Sequence, residues 1–204
     1  MYAVRPNPFA SERVVPLDIS RCLTHSFSDY VAKAAGRPVE LPAGVREVGN
    51  IPMRLPGGQR NCLVLREGDP PAQLPVGGHF SSLAFLHAAF IEKPDDPRVR
   101  GAAHRAWPYG WPLGDYVVHY ADGTRATLPL RLGMNIKRLD TPWLDRAALD
   151  CRYVYSFGDV HLFQWEWVNP RPEKAIAKVV ARHAGRIGAS LVLVAVSGRA
   201  VRER

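Results

Sequence analysis

The chain has 204 residues, 47% of them hydrophobic and 23% charged, a balance that suits one globular domain with a single good core. No run approaches the roughly 20 consecutive apolar residues of a membrane-crossing helix, and the apolar content excludes a wholly disordered chain. Lysine and arginine number 27 against 19 acidic residues, a formal net charge of +8, but the cations are scattered from Arg5 to Arg204 with no block that would make a nucleic-acid stripe.

The opening, MYAVRPNPFASERVV, has no apolar core of the kind a signal peptide needs. A cytoplasmic protein is expected if these residues are the full-length chain; otherwise they belong to something larger. Eighteen prolines and 17 glycines fall between short apolar runs rather than inside them, which predicts an all-β fold. The chain reads as one domain over 1–204, with an irregular segment over 1–13 and a long loop over 92–112. Strands are predicted over 14–19, 45–55, 61–66, 81–88, 115–120, 125–131, 153–157, 160–168 and 191–197.

His87, in SSLAFLHAAF, falls near the end of one of these strands and reads as a buried histidine. In DYVVHYADGTRATLPL two alternating runs flank Asp122-Gly123, which are expected to supply the two positive-φ positions of a tight hairpin turn. Tyr116, Val118 and Tyr120, with Ala126, Leu128 and Leu130, then line a core, whereas Asp115, Val117 and His119, with Arg125, Thr127 and Arg131, point the other way. VHLFQWEWV is partly apolar on both faces and reads as an interior strand. In PEKAIAKVVARHAG, Pro172 and Gly185 suit a helix start and stop, so 173–184 reads as a helix on local pattern. The alternation of Ile176, Lys178 and Val180 also fits a strand.

Three cysteines, Cys22, Cys62 and Cys151, are too few and too far apart for a disulfide framework and are expected as buried free thiols. Cys22 with His25 is the one close Cys/His pair, and a zinc site needs a second pair, so no metal and no cofactor is expected. No G-x-S-x-G, Walker-type or G-x-G-x-x-G motif occurs. His25, His87, His104 and His119 are isolated, and Asp115, Asp140, Asp159 and Glu166 show no pairing, so an enzyme is the weaker reading. WPYGWP holds Trp107, Tyr109 and Trp111 in a stretch that prolines keep out of regular pairing. These rings either cap one end of the fold or line a ligand cleft.

Five segments carry a resemblance: IPMRL at 51–55, NCLVLR at 61–66, LPVGGHFSSLAFLHA at 74–88, GDYVVHYADGTRATLPLRLGMNI at 114–136, and WEWVNPRPEKAIAKVVARHAG at 165–185 followed by SLVLVAVSG. In this order they resemble the galactose-binding-like β-sandwich domains that accompany bacterial glycoside hydrolases and other carbohydrate-active proteins. The resemblance implies a jelly-roll β-sandwich and a strand, rather than a helix, over 173–184. It also implies a non-catalytic carbohydrate-binding or accessory role, beside a catalytic glycoside hydrolase chain or domain. Trp107, Tyr109, Trp111 and Trp143 are then expected to stack on sugar rings, and Arg131, Asn135 and Asp140 to contact hydroxyls. Relatives carry a tryptophan soon after the G-x-N-I motif, where this chain has Lys137-Arg138-Leu139-Asp140. The alternatives are a structural subunit that packs on a catalytic partner and, behind it, a glycoside-processing enzyme. Neither nucleic acid nor membrane is expected as a partner.

Overall fold

Twelve strands form among the residues that the computed structural model describes, 13–92, 110–140, 151–157, 160–184 and 188–201. They are β1 (Val14–Pro16), β2 (Gly44–Val48), β3 (Ile51–Leu55), β4 (Leu63–Leu65), β5 (Ala72–Leu74) and β6 (Phe80–Ile91), followed by β7 (Trp111–Tyr120), β8 (Arg125–Leu132), β9 (Cys151–Phe157), β10 (Val160–Val168), β11 (Ile176–His183) and β12 (Ala189–Ala200). One α-helix, α1 (Phe27–Ala35), and a single 3-10 turn at Ser20–Cys22 interrupt them. The all-β expectation therefore holds.

β6 and β12 read SSLAFLHAAF and ASLVLVAVSG, runs with no polar alternation, and such runs are stable only where both faces of a sheet are covered. These two strands pair at the centre of a six-stranded antiparallel sheet ordered β1-β12-β6-β10-β9. β4 and β1 share the outer edge of β12, β4 against Leu191–Leu193 and β1 against Ser197–Arg199. On one face Leu83, Phe85, Leu191, Leu193 and Trp165 pack against Tyr116, Val118, Leu128, Leu130 and Val179 of a four-stranded sheet, β5-β11-β7-β8. On the other face Ala84, Leu86, Ala88, Val192 and Val194 pack against α1 (Phe27, Tyr30, Val31) and the β2-β3 hairpin (Val48, Ile51, Met53). The central sheet thus separates two cores.

Several local readings change. Residues 45–55 are two strands, because Gly49 (φ +57°) and Asn50 (φ +68°) both occupy the left-handed region and turn the chain in two residues. Gly49 is also required by space, since a Cβ there would lie 2.5 Å from Val154 Cγ1 and 2.7 Å from Gln164 Oε1. Gln164 Nε2 donates to Val48 O at 3.1 Å, which pins this hairpin to β10. At Asp122-Gly123 the hairpin stands but the turn is longer than predicted: only Gly123 has positive φ. Gly123 N–H donates to Tyr120 O and Tyr120 N–H to Thr124 O. Asp122 accepts at Oδ1 from the N–H and hydroxyl of Thr124, at 2.9 and 2.6 Å, and this favours a three-residue loop with glycine at its last position.

Residues 176–183 form β11, as the resemblance implies and against the helical pattern. The pairing with β7 places Ile176, Val179 and Ala181 in the core. The real helix, α1, and the short strand β5 were not predicted. Strand limits also move: 14–19 shrinks to β1, 61–66 to β4, and 81–88, 115–120 and 191–197 lengthen into β6, β7 and β12, so Trp111 and Pro112 leave the predicted loop and begin β7. Of the three free thiols, Cys62 is buried and its pKa is pushed up to about 12 by that burial, whereas Cys22 and Cys151 are half-buried. The predicted irregular segment falls, but for Arg13, outside the described residues.

Candidate functional site

The predicted site residues divide. Trp107, Tyr109 and Trp143 lie outside the described residues. Trp111 opposes Leu132 and Pro112 opposes Arg131 across the β7-β8 pair, and Trp111 packs partly against the inter-sheet core. Asn135 joins them, but as a brace: its Oδ1 accepts from Arg131 N–H at 2.8 Å and its Nδ2 donates to Pro129 O at 2.9 Å. The Arg131 guanidinium donates to Gly110 O at 3.0 Å. Asp140 sits elsewhere, in a two-bond ion pair with Arg138 at 2.9 and 2.7 Å, on the segment that pairs with Ala89 of β6. The structure therefore brings Trp111, Arg131 and Asn135 together and leaves Asp140 apart.

His87 is fully buried and satisfied. Its Nε2 donates to Asn135 O at 2.9 Å, which leaves Nδ1 to accept from the Tyr116 hydroxyl at 3.0 Å. Its ring stacks on Trp165, with centroids 6.3 Å apart. Burial holds its pKa down to about 4, so the neutral ring is a core group.

An open cleft lies elsewhere, at the N-terminal end of α1. Ser26 caps that helix, its Oγ accepting from Asp29 N–H at 3.1 Å, and Gly36 ends it in the left-handed conformation. Just before the cap, His25 pairs with Cys62 through backbone hydrogen bonds of 3.0 and 3.1 Å, and Asn61 Oδ1 accepts from Phe27 N–H at 2.6 Å. These contacts fix His25 at the mouth of an open cleft of about 860 Å³. Its walls carry the hydroxyls of Thr24, Ser26 and Ser28, the carboxylates of Asp29 and Glu40, the cations of Lys33 and Arg60, and the amide of Gln59. Thr24 and His25 also border a second depression of about 440 Å³, more apolar, whose walls include Leu63, Leu65, Pro70 and Pro71.

A polar network stands behind this mouth. Arg66 donates through Nε to Glu92 Oε1 at 2.6 Å, and its guanidinium lies 5.5 Å from the centre of the Tyr30 ring. The Tyr30 hydroxyl donates to the same Oε1 at 2.9 Å and also meets the Ser190 hydroxyl. Burial alone would raise the Glu92 pKa, but the hydrogen bonds from Arg66 and Tyr30 outweigh it and hold the carboxyl below its ordinary value. Arg66 Nη1 lies 3.4 Å from His25 Nε2, and since arginine only donates, that nitrogen is the acceptor and Nδ1 carries the proton. Nδ1 donates to Thr24 Oγ1 at 2.7 Å, which also accepts from Val64 N–H at 3.2 Å. Partial burial, and then the Arg66 charge, hold the His25 pKa below its ordinary value.

Its basic nitrogen faces a guanidinium and its N–H is taken by Thr24, so His25 is a poor general base whose ring is held fixed at the edge of the cleft. Among the described residues no group of three or more histidine, cysteine, aspartate and glutamate side chains is placed to hold a metal ion. Sequence reading passed over the cleft although two signals were available: Ser26 three residues before Asp29, and Phe27, Tyr30 and Val31 at helical spacing ahead of Gly36. No protein-family model and no curated protein matches the chain.

Proposed function

We propose that this chain is a non-catalytic carbohydrate-binding or accessory module, a sandwich of the jelly-roll, galactose-binding-like kind, and that it holds its sugar in the cleft at His25. One observation carries the reading: the cleft combines donor-only groups (Lys33, Arg60), acceptor-only groups (Asp29, Glu40) and groups that do both (Thr24, Ser26, Ser28, Gln59). A sugar hydroxyl both donates and accepts, so a ring bearing several of them is matched by such a mixture. The neighbouring apolar depression offers contact for C–H faces. The occupied lone pair of His25 favours binding over turnover.

The accessory-subunit reading would gain from a contiguous apolar patch. Among the described residues the exposed large apolar side chains are Val45, Val168 and Val201, none of them aromatic, so the binding reading is preferred.

The test is a titration of the purified chain against a panel of neutral and charged oligosaccharides, with reducing-end release followed on the same samples. Binding without release is expected, lost in Asp29→Asn and Arg60→Gln and kept in Trp111→Ala. Release of sugar would make the chain an enzyme, and binding that survives both cleft substitutions would move the site to the Trp111 end.

A further inference from the structure

The exposed face of the four-stranded sheet sets the cations of β11 and β8 on either side of His119 in β7. The β7 register sets Lys178, His119 and Arg125 side by side in one row across β11, β7 and β8, and Arg182 beside Asp115 further along. Arg131 closes the far end of β8, opposite Pro112. Neighbouring strands are spaced about 4.8 Å apart, so the first row spans roughly 10 Å. Between these ends the face is partly apolar, with half-buried Val180 and exposed Thr127 on either side of Val117, which is itself buried, and Gln73 on the outer strand.

Only one carboxylate, Asp115, stands on this face among the described residues, and both its oxygens are taken by Arg182 at 2.7 and 2.9 Å. Lys178 donates to the Gln73 amide at 3.0 Å and Arg131 to a main-chain carbonyl, so neither charge is neutralised there. The Arg125 side chain has no ion-pair partner among the described residues. His119 registers the resulting field: burial, and then Arg125, Lys178 and Arg182, hold its pKa below the ordinary value.

We propose that this sheet face is a second binding surface, for an acidic polysaccharide whose carboxylates pair with Arg125, Lys178 and Arg131 while its sugar rings lie along Val180 and Pro129. The proposal rests on the carbohydrate reading for the kind of polymer but uses a surface apart from the His25 cleft. A polyuronate fits better than a nucleic acid for two reasons. The described part of the face offers no phenyl, phenol or indole ring for base stacking, only the imidazole of His119, and its few cations are thin for a phosphate backbone that demands several contacts. The apolar positions Val180 and Pro129, near the Gln73 amide and the Thr127 hydroxyl, suit sugar rings.

The experiment uses the whole chain and polygalacturonate, with dextran as the neutral polymer and single-stranded poly-dT as the competing polyanion. Polygalacturonate binding that weakens with added salt is expected, reduced about tenfold or more by the double substitution Arg125→Glu and Lys178→Glu. The milder pair Arg125→Gln and Lys178→Gln, checked for an unchanged melting temperature, is expected to give the same direction. Polygalacturonate should also raise the pKa of His119, read from its imidazole NMR signals in the unmutated chain, because an added anion offsets the three cations around it. The proposal falls if polygalacturonate does not bind, if both double variants bind as well as the parent, or if poly-dT binds more tightly than polygalacturonate. Asp29→Asn separates the two readings. It should abolish oligosaccharide binding in the cleft and leave polygalacturonate binding intact, whereas the sheet-face variants should do the reverse.

Discussion

The two faces of the central sheet carry the same strands but different kinds of cover. Toward the four-stranded sheet, Phe85 stacks on Tyr116 at 4.3 Å between centroids, and His87 and Trp165 extend the stack, with every polar atom of His87 and the Tyr116 hydroxyl used internally. Toward α1 and the β2-β3 hairpin β6 presents small and aliphatic residues, Ala84, Leu86 and Ala88, with Phe90 against the Tyr30 ring at its end. A nine-residue helix and a hairpin of five-residue strands leave a margin, and there Thr24, His25, Ser26 and Asp29 reach solvent. Full sheet cover makes His87 into core; partial cover leaves His25 lining an open cleft.

That contrast can be broken most strongly on the covered face. Phe85→Ala removes a fully buried ring from the stack and is expected to cost about 3–5 kcal/mol in urea unfolding, without altering the oligosaccharide affinity of the cleft. His87 contributes a pH effect of similar size. With a folded pKa of about 4 against roughly 6.5 unfolded, the unfolded chain binds the proton first, so stability is lost as pH falls from about 6.5 to 4. The loss should reach about 3 kcal/mol, and His87→Gln should flatten that part of the profile whatever its own cost.

On the partly covered face the expected effects are smaller. Gly49→Ala forces a left-handed backbone on alanine and a Cβ into Val154 and Gln164, for about 1–3 kcal/mol, and should raise hydrogen exchange in the β2-β3 hairpin before the central strands. Smallest in stability is Arg66→Gln, whose signature is electrostatic. Burial still depresses the His25 pKa, but without the guanidinium, and with Glu92 and Asp69 still nearby, it should rise toward its ordinary value in an NMR titration. No rise would mean that burial alone sets it.

The sequence was most legible where its pattern is local and unopposed. The alternation of Tyr116, Val118 and Tyr120 against Leu128 and Leu130 placed the β7-β8 hairpin correctly on the core and named its outward residues, His119, Arg125 and Arg131 among them. Where two periods fit one segment, as in 176–183, local pattern could not choose, because the choice depends on whether β7 offers an edge to pair with. Reading 45–55 as one strand failed because Gly49-Asn50 stands between apolar Val48 and Ile51 and was read as part of the strand, whereas the left-handed turn there divides it. The cleft went unseen because Thr24, Ser26, Asp29, Glu40 and Arg60 are ordinary surface residues until α1 and its flanking loops converge.

By itself, then, the sequence determined the all-β class, the interior strand β10, the outward face of the β7-β8 hairpin and the core role of His87. Each of these follows from side-chain period and turn chemistry within a few residues. Tertiary structure alone decided that Arg125, Lys178 and Arg182 share a face, that Arg66 stands against His25, and that Asn135 braces a turn instead of facing solvent. Strand register and the packing of α1 join residues remote in the chain, and no local period encodes such pairings. Charges that look scattered along 204 residues become a surface only when the strands carrying them are set side by side.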